Sequence, residues 1–284
     1  MRNLHYSLPT GNLRVALAQM QSIDGDIQRN VERAVEMIEQ AAEKKTKLIV
    51  FPEKYLTGYV PELIAADKEK YTLSDNDERL LPLYAACKKN HIIAIVGAPT
   101  RANGNIYISS IVISSKGEEK IRYHKMTLFQ SEKKLYTGDI NMVILSLGDW
   151  KLGLGICYDA GFSEHARLLA QAGCHAYLVS SLFSKGNGYN EAKIWFPARA
   201  LDNTMFVTMT NYVGKTGDWQ TCGASGIWNP MGHLIAGASE TEPNLIIADL
   251  CPNDIKEARL GEQMLSDSSY YHVSGFKIVT VEME

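Results

Sequence analysis

Residues 152–173 read LGLGICYDAGFSEHARLLAQAG, and this stretch determines the fold class that we predict. An apolar, strand-like run leads into Cys157, and a short helix is predicted about six residues later, with Ser163 as its N-cap and Gly173 as its stop. A side chain at such a turn projects from the C-terminal edge of a sheet, where open α/β sheets bind ligands and where backbone N–H groups can hold an anion. On this stretch alone, packing as a small apolar group is the more common role for Cys157.

The rest of the chain alternates short β-rich runs with longer helical stripes, which is typical of an α/β layered domain. The SKGEE turn at residues 115–119 predicts a hairpin, so the sheet is not wholly parallel. Pro82 is expected in the first turn of its helix or at a kink. The predicted strands are residues 13–20, 47–53, 91–98, 106–115, 120–125, 143–147, 152–158, 176–181, 205–212, 226–229, 234–238 and 245–249. The predicted helices are residues 26–45, 77–90, 163–172 and 191–203.

No linker or change of composition divides this pattern. We therefore predict one domain over residues 1–284, with residues 1–11 and 270–284 as extensions. An apolar share of 45% excludes a mostly disordered chain. The net charge of −3, without a cluster of basic residues, predicts neither a nucleic-acid partner nor an anionic membrane surface. No apolar run approaches a membrane span, and five scattered Cys are too few for a disulfide scaffold, so a soluble cytoplasmic protein is expected.

Polar side chains stand at the ends of three predicted β runs. Glu53 ends LIVFPE, Lys125 ends IRYHK, and Cys157 ends the run quoted above. The ends of three strands can converge on one cleft, although a charge at a strand end is more often simply solvated. A reactive thiol needs a base, yet His165 and His175 lie on or after a helix, where surface or packing roles are expected.

Three longer motifs contain these residues and resemble the three signature regions of the nitrilase superfamily of carbon–nitrogen hydrolases, in its amidase-like branch. The three motifs are LIVFPEKYLTGY (48–59), YHKMTLFQSEKKLYTGD (123–139) and GICYDAGFSEHARLLAQAG (155–173). Two further segments, PARALDNTMFV (197–207) and WNPMGHLIA (228–236), resemble later blocks of the same family. The likeness extends over about residues 12–260. The order and spacing of the motifs make this signal far more specific than any single motif.

The resemblance implies a Glu–Lys–Cys triad. By position, Glu53 matches the general base, Lys125 the lysine that stabilises an oxyanion, Cys157 the nucleophile and Glu132 a second active-site glutamate. It also implies a four-layer αββα sandwich that is commonly a homodimer or a larger homo-oligomer, and chemistry that needs neither metal nor cofactor. Two carboxylates around one ammonium should keep Lys125 protonated, and their mutual repulsion should raise the pKa of one Glu.

The implied activity is hydrolysis of a non-peptide C–N bond in a small amide or carbamoyl amide. The reaction passes through a thioester on Cys157 and releases ammonia or an amine, with the Tyr158 N–H and Lys125 binding the oxyanion. A nitrilase acting on a small nitrile uses the same triad and is the alternative enzyme. A binding protein or a thiol redox protein that retains the fold is the non-enzymatic alternative.

Departures from the family pattern bear on the substrate. Gly161 and Ser163 replace an Arg and a Pro that follow the nucleophile in many relatives, which weakens the case for a substrate that carries a carboxylate. Glu191 could hold a cationic substrate group, or could be a first-turn Glu that the helix dipole favours. Tyr59 and Phe183 are candidate pocket residues, for which plain packing is an equal alternative. No metal-binding spacing is present, so a zinc hydrolase is not expected.

Overall fold

Two six-stranded mixed sheets form the centre of the computed structural model, which describes residues 7–268. The first sheet has the strand order β14-β1-β2-β3-β4-β5, the second has the order β13-β12-β9-β8-β7-β6, and β10 and β11 pair separately. The strands are β1 (Leu13–Gln19), β2 (Leu48–Val50), β3 (Ile93–Ala102), β4 (Asn105–Ile113), β5 (Glu119–His124), β6 (Ile144–Leu147), β7 (Trp150–Ile156), β8 (Ala176–Ser180), β9 (Phe206–Thr210), β10 (Lys215–Thr216), β11 (Trp219–Gln220), β12 (Gly226–Trp228), β13 (Leu234–Gly237) and β14 (Asn244–Leu250). The predicted extension at 270–284 lies outside the described residues, and the one at 1–11 is described only from Ser7.

The helices of the described residues are α1 (Ile27–Glu43), α2 (Pro61–Ala66), α3 (Lys68–Tyr71), α4 (Leu81–Asn90), α5 (Ser163–Gln171), α6 (Asn187–Asn203), α7 (Pro252–Gly261) and α8 (Met264–Asp267). Helices α1 and α4 cover the outer face of the first sheet, and α5 and α6 cover that of the second. Helix α1 begins after Asp26, whose carboxylate accepts the N–H of Arg29 at 3.0 Å. Pro82 lies in the first turn of α4, as predicted. No helix within residues 7–268 combines the length and the hydrophobicity that crossing a bilayer requires.

Alternating side chains explain why the strands are apolar on both faces. In β1, Val15 and Leu17 join the core between the two sheets, whereas Ala16 and Ala18 face the helices on the outside of the first sheet. Likewise, Leu154 in β7 faces the other sheet, and the outer face of the second sheet packs against α5 and α6. The predicted four-layer αββα sandwich is therefore confirmed. The predicted hairpin is also confirmed, because β4 and β5 are antiparallel.

Strand direction brings several chain segments to one edge of the sandwich. In the first sheet β2 and β3 are parallel, and because β4 is antiparallel to β3 and β5 to β4, the C-terminal ends of β2 and β5 lie at the same edge. In the second sheet β7 and β8 are parallel. The residues that follow β2, β5, β7 and β8 form the site described below.

Two details of the helix predictions are wrong. Ser163 is the first residue of α5 and makes no capping bond, since the N-cap position is taken by Phe162. Helix α6 begins at Asn187, four residues before the predicted start at 191. The sequence NGYN at 187–190 is rich in turn-forming residues, so its local preference does not indicate the helix that the fold imposes.

Candidate active site

Cys157 lies at a tight turn between β7 and α5. It is the first residue of a 3-10 helix, Cys157–Gly161, and its φ of 45° is in the left-handed region that non-glycine residues seldom adopt. Asp159 holds this turn, because its carboxylate accepts the N–H of Ile156 at 3.1 Å, the hydroxyl of Tyr123 at 2.7 Å and the N–H of Thr127 at 2.8 Å. The nucleophile candidate therefore sits on a strained turn that hydrogen bonds from both sheets hold in place.

Glu53, Lys125 and Glu132 form one buried ionic cluster. Lys125 Nζ donates to Glu53 Oε1 at 2.9 Å and to Glu132 Oε1 at 2.9 Å. All three side chains are almost completely buried. Glu53 lies in the segment after β2, and Lys125 and Glu132 lie in the segment after β5. Within residues 7–268, Glu53 Oε2 has no hydrogen-bond partner. One carboxylate oxygen of Glu53 thus anchors Lys125, and the other is free to accept a proton.

Glu132 is fixed by further donors. The Tyr59 hydroxyl donates to Oε1 at 2.5 Å, and the backbone N–H of Phe129 donates to Oε2 at 2.7 Å. Tyr59, predicted only as a pocket residue, therefore also positions a carboxylate. Both oxygens of Glu132 accept hydrogen bonds, whereas Oε2 of Glu53 accepts none from residues 7–268, so the two carboxylates suit different tasks.

The surroundings of Glu53 and Glu132 shift the pKa values of the two carboxylates in opposite directions. Burial raises the pKa of Glu53, and although Lys125 opposes this, the pKa stays above its ordinary value. Burial acts in the same direction on Glu132, but Lys125, Lys54 and the Tyr59 hydroxyl together bring its pKa below the ordinary value. The pKa of Lys125 lies well above its ordinary value because Glu53 and Glu132 outweigh the effect of burial. The raised Glu and the protonated lysine were both predicted, but burial contributes more than mutual repulsion to the shift of Glu53.

The Cys157 thiol is partly buried and carries its proton. Burial raises its pKa well above the ordinary value, the Glu53 carboxylate raises it further, and Lys125 only partly opposes them. The thiol donates to the carbonyl oxygen of Leu182 at 3.2 Å. A thiol in this state needs a base at the moment of attack, because no preformed thiolate is present.

A cavity of about 310 Å³ opens above the thiol. Its inner wall consists of Glu53, Lys125, Glu132 and Cys157, so the structure brings all four candidates to one space. Its outer wall is largely aromatic and includes the three predicted pocket residues. The other lining residues are Tyr59, Phe129, Tyr158, Leu182, Phe183, Ser184, Asn187, Gly188, Glu191, Trp195 and Trp219. The volume is at the small end of the range for ligand pockets and fits a small molecule.

The whole architecture has counterparts among known proteins. The family model for carbon–nitrogen hydrolases matches residues 14–260. The chain belongs to the carbon–nitrogen hydrolase family. It is 27% identical to a chloroplastic omega-amidase of Arabidopsis thaliana over 88% of this chain and 71% of that protein. It is also 27% identical to a nitrilase of Pyrococcus abyssi, over 88% of this chain and 94% of that protein.

Solved amidase structures resemble this carbon–nitrogen hydrolase closely. The amidase NitN of Nesterenkonia superposes with a TM-score of 0.80 at 26% identity, covering 92% of this chain and 98% of that one. A mutant of the amidase from Nesterenkonia sp. AN1, with a TM-score of 0.80 at 25% identity over 94% of this chain and 98% of that one, carries the acetamide moiety of fluoroacetamide covalently added at its active-site cysteine.

Glu191, in the outer wall of the cavity, does not lie in the first turn of its helix, where the sequence had placed it. Because α6 begins at Asn187, Glu191 is in the second turn and not in the first, so the helix N-terminus does not explain its charge. It is exposed at the mouth of the cavity. A Cβ built on Gly161 would lie 3.0 Å from the Trp195 ring, so an aromatic side chain occupies the space beside the position where many carbon–nitrogen hydrolases carry an Arg.

Lys54 lies buried beside the candidate site, and the sequence analysis did not single it out. It follows Glu53 directly, is only 1% exposed, and places its ammonium 2.9 Å from the centroid of the Tyr59 ring. One feature of the sequence could have pointed to Lys54, namely that it is a second charged residue directly after a predicted buried strand. A lysine in that position is normally expected to be exposed to solvent.

The two histidines are structural, and the surface alternative is wrong for both. His165 is buried, with Nε2 3.0 Å from the Tyr123 hydroxyl and Nδ1 3.0 Å from that of Tyr177. His175 is buried against the backbone of Lys151 and Ser7. Within the described part of the chain, no three His, Cys, Asp or Glu side chains converge so that they could hold a metal ion.

Proposed function

We propose that this carbon–nitrogen hydrolase cleaves small amides through a thioester on Cys157. The observation that carries the proposal is the buried Glu53–Lys125–Glu132 cluster, which shares a cavity with the Cys157 thiol and leaves one Glu53 oxygen without a partner within residues 7–268. A base with a free oxygen, a cation and a protonated thiol are the groups that attack on an amide carbonyl requires.

In the acylation step, Cys157 Sγ attacks the carbonyl carbon while its proton moves to Glu53 Oε2. The carbonyl oxygen becomes an oxyanion, which Lys125 Nζ and the backbone N–H of Tyr158 bind. Tyr158 is in the first turn of its 3-10 helix, where N–H groups lack helical partners. Glu53 then returns the proton to the substrate nitrogen, the C–N bond breaks, and ammonia or an amine leaves. Proton transfer by a positioned group contributes roughly 10²–10⁴-fold in rate.

In the second step, water attacks the thioester carbonyl and Glu53 accepts a proton from that water. The C–S bond breaks, Glu53 returns the proton to the sulfur, and the carboxylic acid is released. Glu132 stays ionised throughout and holds Lys125 in reach of the oxyanion, since Tyr59 and Phe129 each donate a hydrogen bond to one of its oxygens.

We propose a neutral or cationic substrate, and the cavity wall supports this proposal. Trp195 fills the space beside Gly161, so the family's Arg for a substrate carboxylate has no equivalent there. We propose that Glu191 at the mouth binds a positively charged group of the substrate, and that Tyr59 and Phe183 line its apolar part. Aromatic walls beside a carboxylate suit an ammonium group, which both attract.

Intact-mass spectrometry tests the reaction. The protein is incubated with a panel of small amides, carbamoyl amines and nitriles, and the expected result is an acyl adduct on Cys157 with an amide. Cys157→Ala should give no adduct and no turnover, and Cys174→Ala, which removes another buried thiol, is the matched control. Turnover of nitriles alone would favour the nitrilase alternative. Labelling by a sulfenic-acid probe without amide turnover would favour a redox role.

The substrate preference is tested with matched amides that carry a neutral, an acidic or an amino-terminated chain. Wild type should prefer the amino-terminated amide, and Glu191→Gln should lose that preference by raising KM for that substrate alone. An unchanged ranking in Glu191→Gln would contradict the role of Glu191.

We also propose a homodimer and a cytoplasmic location. Apolar side chains stand exposed on the helical layer of α5 and α6, with Ile194 65% and Leu168 49% accessible, and a second copy could cover them. All five cysteines are unpaired, which fits a reducing compartment. Sedimentation velocity should give a dimer for wild type and a monomer for Ile194→Lys.

A further inference from the structure

Lys54 is a second buried lysine at the active site, in addition to Lys125. Its φ is 51°, a left-handed conformation that is unusual for a lysine. Its carbonyl oxygen accepts the N–H groups of Thr57 at 3.1 Å and Gly58 at 2.9 Å, and this turn folds the chain back so that Tyr59 lies against the lysine. The Lys54 ammonium lies 2.9 Å from the centroid of the Tyr59 ring and 4.9 Å from that of Tyr136. A desolvated cation over an aromatic face is strongly attracted to it.

The contact is the first link in a short chain of interactions. The Tyr59 ring holds Lys54 on its face and uses its hydroxyl to bind Glu132, and Glu132 in turn binds Lys125. A cation over the ring draws electron density from the hydroxyl and strengthens its hydrogen bond to the carboxylate. Any movement of Tyr59 would therefore be passed to Lys125, the proposed oxyanion ligand.

Charge balance gives a second argument. The groups that face Lys54 are the carboxylates Glu53 and Glu132, the Lys125 ammonium, the Cys157 thiol, and the phenols of Tyr59 and Tyr136. With Lys125 as the single cation, two ionised carboxylates would leave a buried negative charge, which is costly in a closed site. With Lys54 protonated, the cluster is neutral.

We propose that Lys54 is a positioning residue of the amidase site, which holds the Tyr59–Glu132 arm in place and supplies the positive charge that balances the second carboxylate. The inference rests on the proposed amide hydrolysis, because Lys125 must serve an oxyanion for its placement to matter. When Glu53 has taken the thiol proton, Lys125 is released from one of its two carboxylates and turns to the oxyanion, while Lys54 keeps Glu132 ionised and in position.

The proposal gives the site an alkaline limit. Burial lowers the pKa of Lys54 to about 8, against the opposing attraction of Glu132 and Glu53, whereas Lys125 remains protonated far above that pH. A lysine that must be protonated loses its effect as the pH rises through its pKa. Activity should therefore fall as the pH rises through about 8.

The experiment compares wild type, Lys54→Met and Lys54→Arg, with kcat and KM measured from pH 6 to 10 on the amide found in the panel. Lys54→Met should lose roughly 100-fold in kcat with little change in KM, the scale of loss when a catalytic group is misplaced, and should lack the alkaline limb. Lys54→Arg should have a higher kcat than Lys54→Met, and its alkaline limb should lie above pH 10, since a guanidinium does not titrate between pH 6 and 10. Lys70→Met, which removes an exposed lysine from the Tyr71 ring, is the matched control and should behave as wild type.

A wild-type profile that stays flat through pH 9, or a Lys54→Met enzyme with the kcat of Lys70→Met, would overturn the proposal. If Lys54→Met does not fold, the wild-type and Lys54→Arg profiles still decide. Alkylation of Cys157 by iodoacetamide separates this result from failure of the proposed function, because it needs no substrate. Loss of a nearby cation should slow alkylation roughly 10-fold in Lys54→Met, and an unchanged rate would count against Lys54 even if no amide were turned over.

Discussion

Glu53 sets the acid side of the pH dependence, because its free oxygen must be ionised to accept the thiol proton. Burial holds its pKa above the ordinary value of 4.5. A base with a raised pKa is lost as the pH falls through that pKa, so kcat/KM should decline at a pH higher than an ordinary carboxylate would give. Stopped assays of kcat/KM between pH 4 and 8 measure this limb, with near-UV circular dichroism to confirm that the protein stays folded.

Glu53→Gln tests whether the acid limb of the pH profile belongs to Glu53. It should lose roughly 10²–10⁴-fold in kcat/KM, the usual contribution of a general base, and what activity remains should no longer depend on acid pH. A limb at or below pH 4.5 in the wild type, or one that survives in Glu53→Gln, would mean that another group is the base.

At the same scale, the sequence indicates the proposed catalytic residues but not the side chains that hold them in position. Glu53, Lys125 and Cys157 end predicted strands, Glu132 stands in the same motif as Lys125, and all four line one cavity in the structure. The hydrogen bond from Tyr59 to Glu132 joins residues 73 positions apart, and no local pattern encodes it. The burial of Lys54 was not predictable from the sequence, because a lysine is buried only when groups distant in the sequence provide its partners.

At the scale of elements, two glycines near the C-terminal end of β7 show how a strand positions Cys157, the proposed nucleophile. Gly153 and Gly155 both lie on the helix-facing side, where a Cβ on Gly155 would be 2.3 Å from the Tyr177 hydroxyl and one on Gly153 would be 2.9 Å from a methyl group of Leu169. The flexible Leu169 side chain can move, whereas the Tyr177 hydroxyl is tied to His165.

Gly155→Ala should therefore destabilise the protein by about 1–3 kcal/mol, as overpacking in a core does. It should also lower kcat, because residue 155 is two positions from Cys157. Gly153→Ala is the matched control and should cost less and leave kcat near the wild-type value. Urea unfolding and amide turnover measure both effects. Equal losses in the two variants would show that the Tyr177 contact does not fix the end of β7.

Elements with long periodic patterns were predictable, and those set by tertiary contacts were not. Helix α1 follows from apolar spacing over many residues, and the buried strands follow from near-continuous apolar runs. Helices α2 and α3 span six and four residues, too few to show a period, and were not predicted. The early start of α6 matters most for function, because it moves Glu191 from the helix terminus to the cavity mouth.

At the scale of the whole molecule, the site exists only where the two sheets meet. Glu53 and Lys125, the proposed base and oxyanion ligand, follow strands of the first sheet, and Cys157, the proposed nucleophile, follows a strand of the second. Tyr123 of β5 joins the two halves by donating its hydroxyl to Asp159, directly behind the Cys157 turn. Burial lowers the pKa of His165, so a neutral ring that donates from Nε2 to Tyr123 and accepts the Tyr177 hydroxyl at Nδ1 completes the network.

Tyr123→Phe removes the hydroxyl that joins β5 to the turn at Asp159 and leaves the His165 Nε2–H and an Asp159 oxygen with fewer partners. An unsatisfied buried group costs about 1–3 kcal/mol, so the free energy of unfolding should fall by that amount. Turnover should fall as well, because the turn that carries the thiol loses a support from the opposite sheet. Tyr55→Phe is the matched control: its buried hydroxyl has no hydrogen-bond partner among the described residues, so its loss should be neutral or slightly stabilising. If urea titrations place both variants within about 0.5 kcal/mol of wild type, the cross-sheet bond does not couple the two halves of the site.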